Sequence, residues 1–116
     1  MADPAPQIGI EDFLRLDIRA GRVTRAEALA QARKPAIKLW IDFGPEIGER
    51  RSSAQITDHY MPEDLPGRTV LAVVNLPPRQ IGPFLSEVLV LGLADAQGAI
   101  ALIGPDRAIA PGERLQ

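Results

Sequence analysis

The chain reads as an all-β domain, a small five-stranded barrel, and three observations carry that reading. Apolar residues recur at every second position through Ile37, Leu39, Ile41 and Phe43, the period of a half-buried strand. Two β-branched runs, Val70 to Val74 and Val88 to Leu91, have the length and composition of buried strands. Pro and Gly, 11 and 10 of the 116 residues, cluster between the apolar runs and punctuate them. At this length the chain is one domain that buries roughly two-thirds of its unfolded surface.

Residues 1–9, with an early acid, two prolines and no apolar stretch, read as a disordered lead, and 10–116 as the domain. Ile10, Phe13 and Leu14 fall at i, i+3 and i+4 behind Glu11 and Asp12, the pattern of a short amphipathic helix. So short a helix is unstable alone and needs a surface to pack on. From Asp17 the period becomes that of a strand. Ile18 and Ala20 alternate, then Val23 falls one position out of phase, and Gly21 at the slip predicts a bulge bending a long first strand. Arg33-Lys34-Pro35 ends the connection in a basic loop, the strand Ile37 to Phe43 follows, and Gly44-Pro45 stops it.

Arg51 to Thr57 reads as a third strand, with Ala54 and Ile56 inward and Arg51, Ser53, Gln55 and Thr57 outward. Pro62 at a helix start, acids behind it and Pro66-Gly67 predict one helical turn before the strand at Val70. Pro77, Pro78 and Pro83 remove three backbone donors, so 75–87 is expected as a rigid surface loop bearing Asn75, Arg79, Gln80, Ser86 and Glu87. Asp95 to Gly98 is a hairpin turn, Ile100 to Ile103 its return strand, and a short final pairing is expected near Ile109. Helix, three strands, helical link, strand, loop and closing hairpin is the element order of an OB-fold, whose ligand face lies on strands two and three.

On that face stand Lys38, Trp40, Arg51, Ser53, Gln55 and Thr57, a set suited to phosphate, sugar and base contacts, and to a peptide as well. Net charge is −2, yet Arg15 to Lys38 holds seven Lys/Arg against two acids. That asymmetry fits a cationic face or ordinary solvated strand positions, and charge alone favours the second slightly. The single Trp is as well explained by packing as by base stacking. One histidine, no cysteine and no glycine-rich phosphate loop leave no triad, metal site or cofactor to expect, so no enzyme activity is predicted. Absence of Cys, of an apolar leader and of an 18-residue apolar run suits a cytoplasmic protein without membrane insertion.

Six ordered blocks carry a resemblance: Asp17-Ile-Arg-Ala-Gly-Arg-Val23, Arg33-Lys-Pro-Ala-Ile-Lys-Leu39, Arg51-Ser-Ser-Ala-Gln-Ile-Thr57, Val73-Val-Asn-Leu-Pro-Pro-Arg79, Ser86-Glu-Val-Leu-Val-Leu-Gly92 and Pro105-Asp-Arg107. From Phe13 onward the chain resembles the tRNA-binding domain family, and most closely its free-standing CsaA-type branch. It departs from the broader family in lacking the His-Pro-x-Ala-Asp-Lys-Leu segment at Arg33 to Leu39 and the Ile-Val-Ser-Gly sequence near Arg51. The resemblance implies a cytoplasmic homodimer, joined through the helix of Ile10, Phe13 and Leu14, that binds tRNA and serves as a chaperone in protein secretion. The expected RNA contacts are Arg33, Lys34, Lys38, Trp40, Arg51, Ser53, Gln55, Asn75, Arg79 and Ser86. The alternative is a chaperone for unfolded or preprotein peptides without a physiological RNA ligand, gripping them at an apolar groove by Pro83 and Phe84.

Overall fold

A computed structural model describes residues 3–30 and 33–116. Its elements in order are α1 (Ile10–Leu14), β1 (Ile18–Ala28), β2 (Ile37–Asp42), α2 (Gly44–Ile47), β3 (Glu49–Ala54), a 3-10 turn (Pro62–Asp64), β4 (Thr69–Val73), β5 (Arg79–Ile81), β6 (Phe84–Ser86), β7 (Leu89–Val90), β8 (Gly92–Ala94) and β9 (Ile100–Leu102). The main sheet is antiparallel and runs β3-β2-β1-β4-β7. Its two edges then meet. The Glu87 amide donates to the Arg51 carbonyl at 2.8 Å, and the buried Ser52 hydroxyl donates to the Val88 carbonyl at 3.0 Å. The Ser53 amide donates to the Ser86 hydroxyl at 3.0 Å. The segment 86–90 thereby joins β3 to β4 and gives a nearly closed OB-type barrel, as the element order predicts.

Leu39, Ile41, Val23, Val70, Ala72, Ile56, Leu65 and Phe43 fill the interior. The alternation in β2 is realised residue by residue, with Ile37, Leu39 and Ile41 buried and Lys38, Trp40 and Asp42 half-buried on the other face. Leu65, just after the 3-10 turn, is fully buried in the same cluster and anchors the helical link to the core.

Five local expectations are corrected. The bulge in β1 lies at Thr24, not Gly21: pairing with β4 is regular through Ile18 to Arg22, and the register with β2 shifts between Val23 and Arg25. The phase slip was only apparent. Gly21 faces inward with Val23, toward Ile41 and Phe43, while Ala20 lies on the opposite face beside Leu71, where residues 104–116 cover it. The loop after β4 is not free of pairing, since β5 and β6 form a hairpin around Gly82-Pro83. The prolines flank its strands rather than occupy their interiors, so no ladder bond is lost. The third strand stops at Ala54, leaving Gln55 and Thr57 beyond it, and Gly44-Pro45 opens a one-turn helix instead of a bare turn. The final pairing comes later than Ile109: Gly112 and Glu113 exchange backbone bonds with Ala20, and Leu115 donates to Ile18.

Candidate nucleic-acid interface

The Thr24 bulge determines what the outer face presents. Strict alternation from the inward Val23 would turn Arg25 inward too; the extra residue turns it outward and sets it opposite Trp40. The strand registers then build two rows across β1, β2 and β3, Arg25–Trp40–Arg51 and Glu27–Lys38–Ser53. The Arg25 guanidinium lies 4.3 Å from the Trp40 ring centre, and the Lys38 ammonium 5.8 Å. Phe84 meets Trp40 edge-on at 6.0 Å, and Arg51 stands 5.4 Å above the Phe84 ring. Trp40 is thus a half-buried pillar that packs on Phe84 and holds cations.

Most cations of this face are already engaged. Glu27 accepts from Arg25 Nε at 2.7 Å and from Arg25 Nη2, and its other oxygen is 3.5 Å from Lys38 Nζ. The Arg25 hydrogen bond, reinforced by Lys38, holds the Glu27 carboxyl below the usual carboxylate range. Arg51 is 3.5 Å from Glu87, whose carboxylate also accepts the Arg51 amide at 3.0 Å. Beside the face, a concavity of about 630 Å³ gathers Arg33, Lys34, Ser53, Gln55 and Arg79 around a floor of Ala36 and Ile81. Arg33, Lys34 and Arg79 are exposed, and none is within ion-pair distance of an acid among the described residues. A smaller hollow of about 270 Å³ shares Ser53, Arg79 and Ile81 and adds Ser86.

Five of the ten residues expected to contact RNA therefore line one concavity, Ser86 lines the adjoining hollow, and Lys38 pairs with Ser53 at their shared wall, while Trp40 and Arg51 line neither. Asn75 does not join them. Its side chain accepts from the Asp17 amide at 2.8 Å and donates to the Arg15 carbonyl at 2.7 Å, clamping the α1–β1 connection from outside the concavity. Phe84 is not the exposed anchor of a peptide groove: it is 6% exposed, in a satellite core with Leu29, Ala36, Trp40 and Ile81. Pro83 beside it is exposed. Arg25 was missed, because its outward orientation depends on a bulge the sequence misplaces.

Elsewhere, α1 buries none of its residues; Ile10 is 69% and Leu14 57% exposed, and Phe13 is half-buried. Arg114 and Asn75 tether it through backbone carbonyls at Leu14, Leu16 and Arg15. His59 Nε2 is 2.6 Å from Asp95 Oδ2, at the hairpin turn of β8 and β9. Among the described residues, no group of three or more His, Asp or Glu is placed to hold a metal ion, and no helix is long and apolar enough to cross a membrane.

These features agree with three kinds of likeness. The chaperone CsaA structure from Bacillus anthracis superposes with a TM-score of 0.89 at 49% identity, covering 96% of this chain and 100% of that one. The CsaA chaperone protein structure from Picrophilus torridus gives 0.88 at 44% identity, covering 95% and 100%. In sequence the chain is 39% identical over 112 residues to the methionine–tRNA ligase of Porphyromonas gingivalis and 38% identical over 109 to that of Archaeoglobus fulgidus. Those matches cover 97% and 94% of this chain but 16% of each ligase. The family model described as "Putative tRNA binding domain" matches residues 18–114, nearly the whole barrel and its C-terminal tail, and the chain belongs to that family of tRNA-binding domains.

Proposed function

We propose that this domain binds tRNA non-catalytically, with the concavity between the basic loop after β1 and the β5–β6 hairpin as its phosphate-contacting centre. One observation carries the reading: Arg33, Lys34 and Arg79 converge there without acidic partners among the described residues, next to hydroxyl and amide groups of Ser53 and Gln55. Unpaired cations release counterions from a phosphate backbone, whereas Lys38 and Arg51 must first leave Glu27 and Glu87. Membership of the tRNA-binding domain family supports tRNA as the ligand. The test is a tRNA titration at several salt concentrations. Log K falls linearly with log salt, and Arg33→Ala, Lys34→Ala and Arg79→Ala each flatten the slope by about one unit, more than Lys38→Ala or Arg51→Ala. Slopes unchanged in all three variants would overturn the assignment.

A second reading, a chaperone of unfolded or preprotein chains in a cytoplasmic secretion route, is favoured by the two CsaA chaperone structures, which match nearly end to end. It requires an apolar contact surface other than Phe84, and exposed Ile8, Ile10 and Leu14 supply one. The same residues support pairing of two copies through α1, and the two uses compete for one surface. Suppression of client aggregation that disappears as sedimentation shows dimer forming assigns the surface to clients; suppression by the dimer places it elsewhere.

A further inference from the structure

The two rows on the outer face contain one carboxylate among three cations, and its position is not incidental. Glu27 lies two residues from Arg25 on β1 and directly across from Lys38 on β2, so Arg25, Glu27, Lys38 and Trp40 form a square of adjacent side chains. One Glu27 oxygen takes the Arg25 fork and the other faces the Lys38 ammonium. Trp40 backs both cations. A guanidinium fork and an ammonium held over an aromatic ring are the donor set of a phosphate subsite, because a phosphodiester presents two anionic oxygens much as a carboxylate does.

We propose that Arg25 and Lys38, supported by Trp40, form a phosphodiester subsite that Glu27 keeps filled with its own carboxylate, limiting how many phosphates of a bound RNA this face neutralises. The inference rests on the RNA-binding reading above. It explains why a face with Arg25, Lys38 and Arg51 shows so little free charge, and why the unpaired cations lie at the concavity instead. The hydrogen bond from Arg25, with Lys38 beside it, favours the ionised form of the Glu27 carboxyl.

Replacing Glu27 frees two cations at once. Glu27→Gln steepens the slope of log K against log salt by about one unit, so the ratio of its affinity to the wild-type affinity grows about fourfold as salt falls from roughly 200 to 50 mM. The double variant Arg25→Ala/Glu27→Gln has the wild-type net charge and returns to the wild-type slope. Glu63→Gln, on the 3-10 turn, adds the same unit of charge outside the face and leaves the slope unchanged. Equal slopes for Glu27→Gln and Glu63→Gln reduce the effect to net charge and overturn the subsite. A steep slope that persists in the double variant removes Arg25 from it and overturns it too. If neither wild type nor Glu27→Gln binds tRNA at the lowest salt, the RNA reading falls and the subsite with it.

Discussion

Gly21→Ala is a small change whose cost can be worked from the structure. A Cβ at residue 21 would stand 2.5 Å from Ile41 Cγ2 and 2.6 and 2.8 Å from two ring carbons of Phe43. Carbon atoms in contact prefer about 3.5–4.0 Å, so roughly 1 Å must be found on two sides. Neither neighbour can yield into solvent: Ile41 and Phe43 are fully buried. Overpacking of this kind costs about 1–3 kcal/mol, and with two buried neighbours to displace the cost lies at about 2–3 kcal/mol; the reduced freedom of the unfolded chain returns about 0.4–1 kcal/mol, leaving a net loss of about 1–2.5 kcal/mol. For a domain of this size the melting temperature falls by roughly 4–8 °C, and the urea midpoint drops by about 1 M with an unchanged m-value. Phe43→Leu, which removes the ring edge, makes the double variant less than additive. A Gly21→Ala protein as stable as wild type would refute the close contact between neighbouring strands and restore Gly21 to a role in backbone bending.

Asn75→Ala separates a clamp from a ligand contact: it lowers stability by about 1 kcal/mol through the lost bonds to Asp17 and Arg15, read by urea denaturation, and leaves the tRNA salt slope unchanged. The acid limb of stability should depend on Asp17 and Asp95. A hydrogen bond from Arg19, with Arg114 nearby, lowers the pKa of Asp17, and His59 followed by the Gln97 and Ala99 amides lowers that of Asp95. Both carboxylates are thus more acidic folded than unfolded, so their contribution is fully present above about pH 4 and is lost as pH falls through the lower folded values. Asp95→Asn should flatten the decline measured by thermal melting below pH 4; an unaltered acid limb would show that the His59 contact contributes nothing.

How much was legible depended on how local each signal was. The strand from Ile37 to Phe43 carries its own period, and the Asp95–Gly98 turn its own chemistry, with the Asp95 carboxylate accepting two amides and Gly98 at positive φ. The surroundings of Asn75 and Phe84 are illegible in the sequence for one reason. Each is a plausible contact residue by type, and only its distant partners, Arg15 and Asp17 for one and Leu29, Ala36 and Trp40 for the other, turn it into scaffold. Gly21 defies the local pattern because apolar Ile18 and Ala20 suggest an inward face, whereas the chain's far end covers that face.

By itself the sequence determined the barrel class and the outward residues Lys38, Trp40, Arg51 and Ser53 of β2 and β3, because alternation, turn residues and motif blocks are properties of neighbouring positions. Only the tertiary structure decided where the bulge falls, and with it that Arg25 and Glu27 join Trp40 and Lys38. It likewise decided which cations are neutralised and which converge unpaired on the concavity. Charge pairing acts over a few ångströms in space, and it is the barrel that brings Lys38 to Glu27 and Arg51 to Glu87 from different segments of the chain.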